Sequence, residues 1–433
     1  MSVETGFAGV VLLIALLVLR VPVAIAMIVV SFSGVAWLIG VEPALGIIAN
    51  TPYSFVDNWT LSSVPMFLMM GFVAYHAGLT TGLFEAAKAV LRRIPGALAI
   101  SAIFACSGFA TICGSSLATA AAMGRIAIPE MVRSGYSPSF ACGAIAAGGT
   151  IGALIPPSIL MIVYGVFAET SVLKVFMGGV SIGLLTAAAY SAVVLIISRF
   201  RPDICPPRPL DADGISPREA LAKIWPALLL MAIVFGGLFS GAFTATEGGA
   251  VGAIGAIGIA IATRRLTYDN FKTSLIETLT TSASLFIIGI GAAMFTRFVG
   301  MTGLTGFLTS MVSGADLSYV QLMLLIVVLY LILGMFMEPF GAMLITLPVL
   351  LPILRVQGID FVWFGVLVVK LLEIGMITPP VGLNVFVIRN VASEYATTAQ
   401  IFKGVTPFFL ADLLVVAFAI AFPGFIMYLP AMM

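Results

Sequence analysis

Charge is what this chain has least of. Asp, Glu, Lys and Arg make up 9% of its 433 residues, against about 25% in an ordinary soluble domain. Ionised side chains are kept out because placing one at the centre of a bilayer is costly. In their place stand 61% hydrophobic residues and a mean hydropathy of +1.18, the composition of a multi-pass integral membrane protein. The formal net charge of +1 argues against a nucleic-acid partner, which would call for a basic patch. His76, in FVAYHAGL, is the only histidine. Histidine-based zinc sites and Ser-His triads are therefore excluded, and His76 reads as structural. The four cysteines, Cys106, Cys113, Cys142 and Cys205, form no C-x-x-C pair. They read as small core residues rather than a disulfide framework or a metal site. No G-x-x-x-x-G-K-[ST] loop is present, so nothing points to ATP. The N-terminus lacks the positive region of a cleavable signal and has Glu4 there instead.

What the chain does have is a pair of matched interruptions. GALIPPS at 152–158 is answered by GMITPPV at 375–381, each inside a long apolar stretch. A second Gly/Pro interruption precedes each pair: Gly114-Ser115-Ser116 followed by Pro129, and Gly334 followed by Pro348. Corresponding broken segments in two halves of one chain point to the binding site of a secondary transporter. A break frees carbonyls and amides that hydrocarbon cannot satisfy, so it persists only inside protein or beside a wet cavity. Freed carbonyls coordinate small cations, and freed amides attract anions. Hydroxyls flank these breaks: Ser115, Ser116 and Thr119 at the first, then Ser158 and Thr378 beside the Pro-Pro pairs. Carbonyl and hydroxyl oxygens suit a hard cation such as sodium. Gly and Ser also let membrane helices pack closely, but the recurrence of the breaks in both halves favours a site.

The chain divides around 199–223, RFRPDICPPRPLDADGISPREALAK, its most water-soluble stretch. Residues 1–198 form a first half, with a hairpin at about 98–131 and a broken helix at 156–157. Residues 224–433 form a second, with a hairpin at about 320–354 and a broken helix at 379–380. Residues 6–40 are too long for one straight span of about 20 residues and predict a broken helix or two short spans. Asn50 to Ser63 reads as interfacial. Spans are expected at 64–80, 96–112, 175–198, 225–240, 248–262, 283–299, 304–313, 320–336 and 405–430. Arg199, Arg201, Arg208, Arg218 and Lys223 in the linker, with Arg264, Arg265 and Lys272, place both loops in the cytoplasm by the positive-inside rule. The turn at 241–247 then faces outside. An amphipathic stretch at 82–95 suits the cytoplasmic interface.

Four segments resemble the large membrane subunit of TRAP (tripartite ATP-independent periplasmic) transporters. They are GSSLATAAAMGRIAIPEM at 114–131, GGTIGALIPPSILMIVYG at 148–165, GAFTATEGGAV at 241–251 and EIGMITPPVGLNVFVI at 373–388. The resemblance covers essentially the whole chain, and the last segment is its most specific part. It implies an all-α polytopic membrane protein of two inverted repeats, each with a re-entrant helical hairpin, working as an elevator-type ion transporter. Sodium would enter with an organic acid, a carboxylate delivered by a periplasmic substrate-binding protein, in the bacterial inner membrane. No cofactor is implied, and sodium is the coupling ion. A small four-helix membrane subunit is a further implied partner, expected as a separate chain because 433 residues leave no room for a fused one.

Carried over position by position, the resemblance assigns a first sodium site to Cys113, Ser115, Gly152, Ile155 and Pro156. Cys113 stands where the family has a serine, and a neutral thiol is a poor sodium ligand. The second site falls on Gly334, Gly375, Thr378 and Val381. Ser116, Thr119, Ser158 and Arg297 are the candidate substrate ligands. Arg297 suits a carboxylate, or equally snorkels to the interface. Glu338 and Glu373 would tune cation or proton coupling, or pair with Lys370 or Arg389. Arg125 and Glu130 read as an ion pair at the hairpin base.

Other readings fare worse. An intramembrane hydrolase using Ser115 or Ser116 lacks a Lys or His base nearby, so the chain is read as no enzyme. A channel would show charge rings or a filter loop. A binding-protein-independent sodium/divalent-anion symporter of related architecture is the nearest alternative.

Overall fold

The computed structural model of the chain describes residues 3–207, 217–315 and 317–433. Every regular element among them is helical, the solution hydrocarbon imposes on a backbone that must satisfy itself. Among the described residues, seven helices are long and apolar enough to cross a membrane by length and composition. The chain is a multi-pass membrane protein.

α1 (Val3–Val18) and α2 (Val23–Ile39) divide the first apolar stretch. The division falls at Arg20, whose φ of 64° is left-handed, and at Pro22, which has no amide to continue a helix. The stretch expected to be interfacial is partly helical: α3 (Val41–Val56) runs into it, followed by a 3-10 turn at 59–62. Asn58 caps that turn, its side chain accepting from Thr60 N at 3.0 Å. Next come α4 (Ser63–His76) and the amphipathic α5 (Gly82–Leu91). α6 (Ala97–Cys113) and α7 (Ser116–Arg133) form a hairpin. α8 (Pro138–Thr150) and α9 (Ile159–Phe167) are the arms of a broken helix, and α10 (Val172–Phe200) closes the first half. Arg208 and the rest of 208–216 lie outside the described residues.

The second half opens with α11 (Pro217–Phe239), α12 (Ala245–Ala262), α13 (Tyr268–Thr302) and α14 (Leu304–Gly314). The same series then recurs: a hairpin of α15 (Tyr319–Phe336) and α16 (Pro339–Val356), a broken helix of α17 (Phe361–Gly375) and α18 (Leu383–Val391), and a long α19 (Thr398–Ala421). The short α20 (Pro423–Met427) follows. The hairpin arms have 17 and 18 residues in one half and 18 and 18 in the other. The far arms of the broken helices have 9 each. Order and length together mark a repeat.

Three expectations need correcting. Pro129 and Pro348 do not break the chain but lie inside α7 and α16, as proline in a membrane helix does when neighbours satisfy the freed carbonyls. The second hairpin turns at Met337 and Glu338 instead. The span expected at 283–299 belongs to the 35-residue α13, about 50 Å long at 1.5 Å per residue. Its polar N-terminal part carries hydroxyls that are satisfied within the helix, one turn back: Ser274 to Asn270 O, Thr278 to Ser274 O, Thr280 to Ile276 O and Ser284 to Thr280 O. Glu130 pairs not with Arg125 but with Lys88, tying α5 to the hairpin. His76 pairs with Glu277 at 2.8 Å, joining α4 to α13. All four cysteines are buried free thiols.

The two repeats interlock rather than sit side by side. α8 packs on α19, α18 on α7 and α8, and α10 on α17. At the α8–α19 seam the backbones touch: a Cβ on Gly143 would fall 2.2 Å from Gly404 C. Ser139 Oγ donates across the same seam to Gln400 O at 2.5 Å.

Candidate functional site

Each hairpin tip is built by a capping residue. α6 ends at Gly114, with φ 61°, a conformation only glycine adopts without strain. Glycine is required there twice over, since a Cβ would lie 2.3 Å from Pro157 O. The tip is thus seated directly on the first Pro-Pro break. Ser115 caps α7, accepting from Ala118 N at 3.5 Å. Its carbonyl accepts from Thr119 Oγ1 at 2.7 Å and from Thr119 N at 3.0 Å. Gly152 lies against the same group, its Cβ position 2.9 Å from Ser115 O and 2.8 Å from Thr119 Oγ1. Ser115, Thr119 and Gly152 therefore converge. Ile155, Pro156 and Ser158 are buried behind them, and Ser158 caps α9 by accepting from Met161 N at 3.4 Å.

The second tip is capped by Glu338, whose Oε1 accepts from Gly341 N at 3.1 Å. Behind it α15 and α17 meet backbone to backbone, the Cβ position of Gly375 being 2.5 Å from Gly334 Cα. One turn on, Thr378 Oγ1 donates to Ile374 O at 2.6 Å, leaving its oxygen lone pairs free. Asn384 re-enters past the break, donating from N to Met376 O at 3.0 Å and from Nδ2 to Ala146 O at 3.2 Å. Both Pro-Pro bonds are cis. The surroundings differ: Pro156 and Pro157 are buried, Pro379 and Pro380 exposed, and Val381 half-buried.

The tips share a cavity of about 430 Å³. Cys113, Ser115 and Ser116 line it from the first hairpin, and Glu338 and Pro339 from the second. Glu373 contributes from α17, Met376 from the residue just after it, and Thr280, Thr281 and Ser284 from α13. None of the lining residues is Lys or Arg. Arg297 is elsewhere on α13, exposed, with Nη1 donating to Thr51 Oγ1 at 3.1 Å.

Over residues 10–425 the sequence matches the family described as "Tripartite ATP-independent periplasmic transporter, DctM component". The chain belongs to this family. Among similar proteins is the C4-dicarboxylate TRAP transporter large permease protein DctM of Pseudomonas aeruginosa, 40% identical and covering 76% of this chain and 77% of that one. The sialic acid TRAP transporter large permease protein SiaM of Vibrio cholerae is 33% identical, covering 87% of each. In fold the chain is like the YdaH transporter of Alcanivorax borkumensis, with a TM-score of 0.63 at 18% identity over 88% of this chain and 89% of that one. The relatives are transport permeases rather than enzymes, and this chain is a TRAP large permease.

Several features of this DctM-family cavity escape a reading of the sequence. Thr281, Ser284, Leu285 and Ile288 line it at one-face helical spacing; the hydroxyl cluster TTSAS at 280–284 was the available signal. Ser116 Oγ donates to Glu373 Oε2 at 2.5 Å, a contact between hairpin and broken helix of different repeats. Lys370 pairs with neither Glu338 nor Glu373 but with Asp412. Arg389 Nη1 donates to Ser393 O at 2.6 Å.

Proposed function

We propose that this TRAP permease imports an organic acid carboxylate together with sodium. It receives the acid from a periplasmic binding protein and works with a small four-helix membrane subunit in the bacterial inner membrane. The observation that carries this reading is the cavity's charge. Two glutamates and no Lys or Arg line it, so an entering carboxylate meets no fixed positive charge. Accompanying cations supply what the walls lack, which makes uptake depend on an ion gradient. The first sodium site is assigned to Cys113 through its carbonyl, with Ser115, Gly152, Ile155 and Pro156. The second is assigned to Gly334, Gly375, Thr378 and Val381. Of the candidate substrate hydroxyls Ser116 lines the cavity, with those of α13, whereas Thr119 and Ser158 are fully buried outside its lining.

The interlocked hairpins and broken helices form the moving body of an elevator, sliding against α4, α12 and α13. The basic linker and the Arg264–Arg265 turn lie on the cytoplasmic side. The substrate class stays at organic acids, because in a tripartite system the binding protein makes the selection.

The complex reconstituted in proteoliposomes with its binding protein is expected to accumulate the acid under an inward sodium gradient and not under an equal potassium gradient, without ATP. Equal uptake under both gradients would remove the proposal. Thr378→Val keeps shape and volume but deletes the free hydroxyl oxygen. Losing one ligand to a buried cation costs about 1–3 kcal/mol, so half-maximal sodium activation should shift roughly 5- to 150-fold. Activation at the wild-type sodium concentration would take Thr378 out of the second site.

A further inference from the structure

Among the described residues, six buried side-chain polar atoms have no hydrogen-bond partner. Four are hydroxyls of Ser101, Tyr136, Ser198 and Ser282, groups that can donate as well as accept. The other two, Glu373 Oε1 and Asn384 Oδ1, only accept when the carboxyl is ionised. Both flank the second break. Asn384 is fixed in orientation because its Nδ2 donates to Ala146 O. Glu373 is fully buried yet lines the cavity. Its Oε2 is held by Ser116. The cation nearest along its own helix, Lys370, is committed to Asp412 on α19. Of the other ionisable groups around it, Tyr190 on α10 donates to Asp412, and Glu338 across the cavity is acidic. No fixed positive charge is left for Glu373.

We infer that Glu373 anchors a further sodium ion, bound between α17 and the tip of the first hairpin and distinct from the two sites proposed above. This rests on the sodium coupling proposed there. Oxygen donors suit a hard cation: Glu373 Oε1 provides the charge, and the Ser116 hydroxyl oxygen, already 2.5 Å from Oε2, lies beside it. A proton alone satisfies the geometry less well: on Oε1 it would be a buried donor with no acceptor, and on Oε2, donating to Ser116 Oγ, it would still leave Oε1 a buried acceptor with no donor. Ser116 belongs to the first repeat and Glu373 to the second, so the ion is complete only with the tip closed on α17. Occupancy would thereby report closure.

The test counts ions. Equilibrium binding of radioactive sodium to the purified complex is compared between wild type and Glu373→Gln, alongside sodium-to-substrate stoichiometry from reversal potentials in proteoliposomes. Glutamine keeps the size and an oxygen for Ser116 but removes the charge. The expected result is one fewer sodium per permease, a lower Hill slope for sodium activation and an unchanged pH profile. An unchanged sodium count overturns the inference. So does a pH dependence present in wild type and lost in the variant at constant sodium count, which would make the site a proton carrier. Should Glu373→Gln fail to accumulate, Glu373→Asp retracts the carboxylate by one methylene. It should weaken sodium activation roughly tenfold or more, and an unchanged activation curve overturns the inference. Wild type that binds no sodium at all overturns the coupling proposed above, and this site with it; a deficit confined to the variant cannot arise that way.

Discussion

Lys370→Met is expected to destabilise the permease by about 3–5 kcal/mol, because it leaves Asp412 buried without its cation. Both side chains are wholly enclosed. Asp412 is fully used in the native state: Oδ1 takes Lys370 Nζ at 2.5 Å and Oδ2 takes Tyr190 Oη at 2.7 Å. Tyr190 is in turn 3.3 Å from Thr150 Oγ1. One carboxylate thus gathers α17, α19, α10 and α8. Breaking such a pair costs far more than the pair is worth, since the surviving charge has neither water nor partner. Replacing both members with apolar residues of similar size is often neutral. The double variant Lys370→Met/Asp412→Leu should therefore recover most of the loss, leaving only the Tyr190 hydroxyl with its weaker Thr150 contact. Thermal unfolding of the purified protein decides the matter. A double variant as unstable as the sum of its singles would mean the two charges do not act as a unit.

Gly404→Ala should come next in severity, at the upper end of the roughly 1–3 kcal/mol that overpacking costs. Its Cβ would fall 1.8 Å from Ser139 O. That atom is backbone, so no rotamer change relieves the clash and α8 must separate from α19. The separation would also stretch the bond from Ser139 Oγ to Gln400 O. Alanine gains about 1 kcal/mol of helix propensity over glycine, which is not enough to compensate. Gly258 on α12 is the control, with nothing within 4 Å of its Cβ position. There the same substitution should be neutral or stabilising by up to about 1 kcal/mol. Matching melting temperatures for the two variants would contradict the close approach at the seam.

The backbone breaks are legible in the sequence wherever the residues themselves enforce them. Gly114 must be left-handed, and Pro156-Pro157 and Pro379-Pro380 have no amides to continue a ladder, so those interruptions can be placed to the residue. The second tip is harder to place, because Met337 and Glu338 carry no such constraint and Gly334 and Pro348 attract attention instead. Gly334 proves to serve contact with Gly375, a packing role that a linear pattern does not separate from a turn. Helices with polar starts, such as α13, are foreshortened by any reading based on hydropathy, since their hydroxyls are satisfied one turn back along the same helix. Partnerships are the least legible part. Ser116 with Glu373 and Lys370 with Asp412 join residues from different elements, and charge alone offered Glu373 and Lys370 to each other. Only the packing of α19 against α8 and α10 shows why Lys370 turns to Asp412.

That packing also sets a timetable for biosynthesis. The face of α8 that holds Ser139 meets its partner Gln400 at a separation of 261 residues. A ribosome adding about 5–20 residues per second takes roughly ten seconds to a minute to deliver that partner. Through this interval the glycine-rich face of α8 waits in the membrane with only lipid or the insertion machinery against it. A nascent chain that stalls before α19 can dock α17 on α10 and α18 on α7 and α8, but its α8 seam stays open to the membrane.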